Sequence, residues 1–193
     1  MYSNLEKNKA NYWALTPISF LVRTANIWPE KTAWIHGSKK NTYEELHTRC
    51  LKISNGLKLK GIKKGDTIAA ILPNVPAMIE CHFAVMMAGA ILNTINTRLD
   101  SESIAFILQH GNAKMIFVDP EYNNVVSEAL KSLPKNKRPI IIKCNDEEFI
   151  KNEPLKNEIT NDDLVKIGKS DNPIEWPENE WDAISVGYTS GTT

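Results

Sequence analysis

Gly65-Asp66-Thr67-Ile68-Ala69-Ala70-Ile71-Leu72-Pro73-Asn74 decides the fold. The run from Ile68 to Leu72 is apolar throughout and bounded by turn residues, so it reads as a strand buried on both faces. Two buried faces require helices on both sides of a sheet. Immediately downstream, Asn74 offers a helix N-cap with Pro76 in the first turn. The segment through Ala88 is apolar nearly all round, as in a deeply packed helix, until Gly89 closes it. Upstream, Thr42-Tyr43-Glu44-Glu45 places a capping hydroxyl three residues before a glutamate, the pattern of a capping box. Tyr43, Leu46, Cys50, Ile53 and Leu57 then form one apolar stripe, with Lys58 and Lys60 at the negative end of the helix dipole.

The alternation continues toward the C-terminus. Ala90 to Ile95 reads as a strand, a helix is capped near Asp100 or Ser101, and Met115 to Val118 is a strand. A helix follows around Val125 to Leu133, then a strand at Ile140 to Ile142. These strands are spaced for helical crossovers rather than tight hairpins, which predicts an α/β fold, a mainly parallel sheet with helices on both faces. Residues 145–180 turn to Asn, Asp, Glu, Lys and Pro and read as a polar surface excursion with little core, one short helix near Asp162 to Ile167, and Trp176 and Trp181 docking it back. Ala183 to Tyr188 reads as a last strand.

Composition narrows the function classes. The 193 residues carry 23 basic and 23 acidic side chains, so the chain lacks the net charge of a general polyanion binder and a nucleic-acid partner is not expected. Its longest apolar stretch, Phe83 to Leu92, is half of the roughly 20 residues a membrane-spanning helix needs. The N-terminus has mixed charge and no apolar stretch behind it, unlike a secretory signal. Three widely spaced cysteines suit reduced thiols. Together these features predict a cytoplasmic protein.

The strongest functional signal is terminal: a strand running into Thr189-Ser190-Gly191-Thr192-Thr193. A loop of glycine and small hydroxyls presents backbone N–H groups and hydroxyl hydrogens to a single anion without bulk. Such clusters also make ordinary turns, so the pentapeptide alone leaves both readings open. The Walker-type string of Gly, four residues, then Gly-Lys-Ser/Thr occurs nowhere in the chain, which argues against a P-loop kinase or GTPase.

Tyr188-Thr189-Ser190-Gly191-Thr192-Thr193 resembles the opening of the phosphate loop of adenylate-forming enzymes, the acyl-CoA synthetase superfamily. In that family it continues with Gly-x-Pro-Lys-Gly. Further matching stretches come in the family's order: Asn11-Tyr12, Thr16-Pro17-Ile18-Ser19-Phe20-Leu21, and Leu72-Pro73-Asn74-Val75-Pro76-Ala77-Met78 with Glu80, His82 and Phe83. Ala88-Gly89-Ala90, Asn96-Thr97-Arg98 and Trp181-Asp182-Ala183-Ile184-Ser185 follow. The set is most similar to the acyl-activating branch that handles short, medium or aromatic acids, such as methylmercaptopropionate, butyrate and benzoate CoA ligases.

The resemblance implies an incomplete N-terminal AMP-binding domain spanning residues 1–193, with the loop starting at 188–193 and the small C-terminal domain absent. It implies a two-step use of ATP, Mg2+ and coenzyme A on a small-molecule carboxylic acid: an acyl-adenylate forms with release of pyrophosphate, then coenzyme A displaces AMP. Thr189, Ser190, Gly191, Thr192 and Thr193 would grip the β- and γ-phosphates. The family's motif lysine, magnesium-coordinating glutamate and catalytic lysine have no counterpart among these residues, so no catalytic residue is expected and the chain alone is expected to be inactive. The alternative is a noncatalytic Rossmann-like module that binds a nucleotide or a protein. The acid and the oligomeric state do not follow from the sequence.

Other chemistry-bearing residues have plainer readings. His47 and Cys50 are three apart on a helix but lack a second ligand pair, so they read as packing. Cys81 and His82 are adjacent on a helix and point apart, so His82 reads as a helix-packing residue. Lys58, Lys60, Lys63 and Lys64, and the turn Lys135-Asn136-Lys137-Arg138, read as solvated helix ends. Met78, Phe83, Met86 and Met87 read as core.

Overall fold

A computed structural model describes residues 6–146, 148 and 159–189. Strand β3 (Thr67–Ile71) is the axis. Ile68, Ala69, Ala70 and Ile71 are all 0% exposed. Because side chains alternate along a strand, Ile68 and Ala70 enter one apolar cluster while Ala69 and Ile71 enter another on the opposite face. A single short strand thus feeds two cores, as its unbroken apolar run requires.

Parallel partners extend from it on both sides: β4 (Ile91–Thr94) and β5 (Ala113–Val118) flank β3, β6 (Ile140–Lys143) and β7 (Ile159–Thr160) continue beyond β5, and β8 (Ser185–Val186) lies outside β4. The order is β7-β6-β5-β3-β4-β8, and every pairing in this sheet is parallel. Chain direction across the sheet reverses at β3. Right-handed crossovers therefore put the α3 helix (Pro76–Met87) on one face and α4 (Ser101–His110) and α5 (Asn123–Ser132) on the other. The doubly covered α/β sheet is as the sequence predicts.

Helix α2 (Tyr43–Leu59) opens with the expected capping box: Thr42 Oγ1 accepts from Glu45 N at 3.2 Å and Glu45 Oε2 accepts from Thr42 N at 2.8 Å. Asp100 caps α4 through Ser103 N at 2.8 Å. The cap of α3 differs from expectation. Its N-cap is Val75, with no side-chain bond, and not Asn74. Pro76 at the first helical position has no N–H to satisfy and drives the preceding residue extended, at φ −112° and ψ 163°, which fixes the boundary at Val75.

Two elements ahead of α2 were not anticipated. Helix α1 (Pro17–Ile27) is capped by Thr16, and an antiparallel hairpin pairs β1 (Thr32–His36) with β2 (Lys39–Thr42) apart from the main sheet. The excursion contains its expected short helix and carries more core than the little expected. Its described part supplies β7 and α6 (Asn161–Ile167), and Leu164 is fully buried against α2. The approach is close enough that a Cβ on Gly56 would lie 2.6 Å from Leu164 O, and one on Gly168 1.9 Å from Lys52 O. Trp176 does dock, packing on the core and edge-on to Trp13 at 5.3 Å. Trp181 does not: it is 92% exposed.

Candidate functional site: the carboxyl edge at β8

In an open parallel sheet, ligands bind outside the carboxyl ends of the strands, where loops converge. All six strands here end on one side. At that side β8 gives way to Gly187 and Tyr188, and the candidate loop begins with Thr189, which is exposed. Ser190, Gly191, Thr192 and Thr193 lie outside the described residues. The strand itself is shorter than the sequence suggests, Ser185–Val186 in place of Ala183 to Tyr188.

Tyr188 leaves the sheet but is held. Its Oη shares a 2.8 Å hydrogen bond with Nδ1 of His110, the last residue of α4. Its ring stands edge-on to His110 and to Phe106, with centroids 5.7 and 6.4 Å away. Asn93, on β4 opposite Val186, is 0% exposed, and neither end of its amide has a hydrogen-bond partner among the described residues. Gly111 lies between the two groups: a Cβ there would sit 3.2 Å from Asn93 Nδ2 and 3.4 Å from Tyr188 Oη.

A second polar region lies toward the other edge, in a cleft of about 410 Å3 lined by Trp34, His36, Arg49, Glu80, Asn145 and Asp162 among others. Arg49 Nε donates to Glu80 Oε1 at 2.6 Å, and its Nη2 donates to Glu80 Oε2 at 3.3 Å and to Asp162 Oδ1 at 3.0 Å. Burial pushes the Glu80 carboxyl up although Arg49 pulls it down. The same burial lowers Arg49, but Glu80 and then Asp162 more than reverse it and hold the guanidinium protonated. With a 2.6 Å contact between them, the pair is charged. His36 Nε2 lies 2.7 Å from Asp146 Oδ2. Nothing in the sequence reading singled out this network. Its one visible sign was Glu80, a lone carboxylate on an otherwise apolar helix.

The remaining candidates resolve as packing or tethering. Cys50, Cys81 and Cys144 are buried free thiols, pushed well up by burial. Cys50 Sγ approaches Glu80 O at 3.8 Å, and burial lowers His47. His82 departs from its reading: it is exposed, with Nδ1 2.8 Å from Met78 O. Lys58 donates to Pro173 O at 3.0 Å and Lys64 pairs with Glu178 at 3.3 Å, so two of the basic residues tie down the excursion. Among the described residues, no group of three His, Cys, Asp or Glu side chains could hold a metal ion.

The model of the family described as AMP-binding enzyme matches residues 21–193. The chain belongs to this AMP-binding enzyme family. The acetate–CoA ligase of Humulus lupulus is 41% identical over 98% of the chain and 35% of its own length. The peroxisomal acetate/butyrate–CoA ligase of Arabidopsis thaliana is 38% identical over the same shares. The chain therefore spans about a third of the length of these relatives. The crystal structure of an anthranilate CoA ligase in complex with anthranoyl-AMP shares the fold at a TM-score of 0.83 and 20% identity, covering 97% of this chain and 35% of that one. No helix among the described residues of this AMP-binding family member is long and apolar enough to cross a membrane.

Proposed function

We propose that this chain is the phosphate-gripping portion of the N-terminal domain of an ATP-dependent carboxylic acid–CoA ligase. In the first step, the acid's carboxylate oxygen attacks the α-phosphorus of ATP. The α–β anhydride breaks, and pyrophosphate leaves. In the second, the thiol sulfur of coenzyme A attacks the acyl carbonyl carbon, AMP departs, and the thiol proton is released. The carrying observation is the family match across residues 21–193, which includes the run of small hydroxyl residues that follows β8 in the sequence. Thr189, Ser190, Gly191, Thr192 and Thr193 offer donors and no charge, which suits positioning of a polyphosphate rather than proton transfer. Magnesium would enter with the triphosphate. Two relatives are named for acetate and butyrate, so acids of two to four carbons head the candidate substrates, ahead of medium-chain and aromatic ones. Some relatives are named peroxisomal, and a cytoplasmic location is not part of the proposal.

The test uses the full-length protein that carries this segment. Acetate, butyrate and benzoate should each be assayed for acid-dependent exchange of pyrophosphate into ATP and for thioester formation. Exchange with at least one acid is expected, and none from the 193-residue chain alone. Replacing Thr189, Ser190 and Thr192 together with alanine removes three hydroxyl donors. At about 1.5–3 kcal/mol for each bond to a charged group, kcat/KM for ATP should fall by at least about 100-fold. Full turnover in that variant, or absence of exchange with every acid, overturns the reading.

A further inference from the structure

The two hydrogen-bonded residues of β8 are a slender support for a loop that must hold a ligand. Pairing to β4 covers only Ser185 and Val186. Gly187 contributes no side chain, and an added Cβ there would meet nothing within 4 Å. Fixing each residue from that point onward costs about 1–2 kcal/mol of backbone entropy. The next contact along the chain is Tyr188, whose hydroxyl meets His110 Nδ1 at 2.8 Å. His110 is itself steadied one helical turn from Phe106, on which it stacks at 5.4 Å with the planes 18° apart. Gly111 adjoins this contact: a Cβ there would touch the tyrosine hydroxyl at an ordinary 3.4 Å and press on Ile107 O at 3.0 Å. Helix α4 thus ends in two rings, Phe106 and His110, that grip the residue just before Thr189.

We propose that His110 is a positioning residue: by holding Tyr188 it sets the departure of the phosphate loop from the sheet and thereby the protein's affinity for the triphosphate. This rests on reading residues 189–193 as a triphosphate grip.

The experiment uses the full-length protein with Tyr188→Phe, His110→Ala, His110→Gln and the Tyr188→Phe/His110→Ala double substitution. It measures the Kd for Mg-ATP by calorimetry, the KM for the carboxylate and the thermal midpoint. Tyr188→Phe keeps the ring and removes only the hydroxyl, so the fold survives. It and His110→Ala should each raise the ATP Kd about three- to tenfold, the range of one ordinary hydrogen bond, with the carboxylate KM and the midpoint unchanged. His110→Gln, which can again reach the hydroxyl, should recover part of the loss, and the double substitution should be no worse than either single one. An unchanged ATP Kd in both single variants overturns the proposal. So does a parallel rise in both constants with a fallen midpoint, or additivity in the double variant. The Thr189, Ser190 and Thr192 triple alanine variant separates the two readings. If it leaves the ATP Kd unchanged, the grip and this proposal both fall; if it weakens ATP binding while Tyr188→Phe does not, only the role of His110 falls.

Discussion

The two edges of the sheet differ in how much paired charge they carry. Toward β6 and β7, charge is concentrated and paired: Arg49 is bound to two carboxylates and His36 lies against Asp146, while Trp34 Nε1, Asn41 Oδ1 and Asn145 Oδ1 in the same cleft are buried without a partner among the described residues. Toward β8, Asn93 is buried with neither end of its amide paired among the described residues, and the short strand is followed in sequence by a run of small hydroxyl residues. The first edge is consistent with holding elements together, and the second with reaching for something outside the described chain. If so, substitutions at the first edge cost stability, and substitutions at the second change ligand affinity at little cost in stability.

The largest expected effect is at the first edge. Glu80→Ala leaves Arg49 with Asp162, whose side chain is 55% exposed, as its remaining carboxylate, and deletes a buried anchor from α3. Breaking a buried pair on one side costs about 3–5 kcal/mol; the low end applies here because Arg49 is partly solvated. Urea unfolding of the chain should show a correspondingly lowered midpoint. A change under about 1 kcal/mol would remove the distinction between the edges. Next comes Gly168→Ala, whose Cβ would meet Lys52 O at 1.9 Å. Helix α6 must shift away from α2, at about 1–3 kcal/mol for overpacking. Hydrogen exchange should find the α6 amides opening faster while those of α4 keep their protection. Thr42→Ala removes one half of the capping box and should cost about 1 kcal/mol, read as a lower thermal midpoint.

How much of this was legible depends on the range over which each signal acts. The capping box at Thr42 and the apolar run at Ile68 are local, and both stand as read. The Val75 boundary was also local, but the constraint Pro76 places on its neighbour outweighed the cap preference of Asn74. The β1–β2 hairpin was missed because Lys39-Lys40-Asn41-Thr42 shows no apolar alternation, and its pairing is made by backbone. Tryptophan area predicted two docked rings, and only Trp176 found a surface. At the site, Thr189 to Thr193 could be flagged because the loop is contiguous. The bonds that fix the two edges are not: Tyr188 and His110, beside the loop, are 78 positions apart, and Arg49 and Asp162, at the other edge, are 113 apart. No periodicity carries information over such distances.

The smallest expected effect has the opposite sign and is the finest probe of the second edge. Asn93 lies within the sheet, with Ala69 on one neighbouring strand and Val186 on the other, and both ends of its amide lack a partner among the described residues. A buried amide without hydrogen bonds costs about 1–3 kcal/mol, and an apolar side chain of similar branching removes that cost without leaving a void. Asn93→Leu should therefore raise the unfolding free energy of the chain by about 1 kcal/mol, read from the urea midpoint at constant slope. If it instead lowers stability by that much, the amide is satisfied in solution, and Asn93 ceases to mark the second edge. If stability rises while the full-length protein loses ATP affinity, the amide is kept unpaired at a thermodynamic cost for the ligand's sake, and the contrast between the edges becomes one of purpose as well as composition.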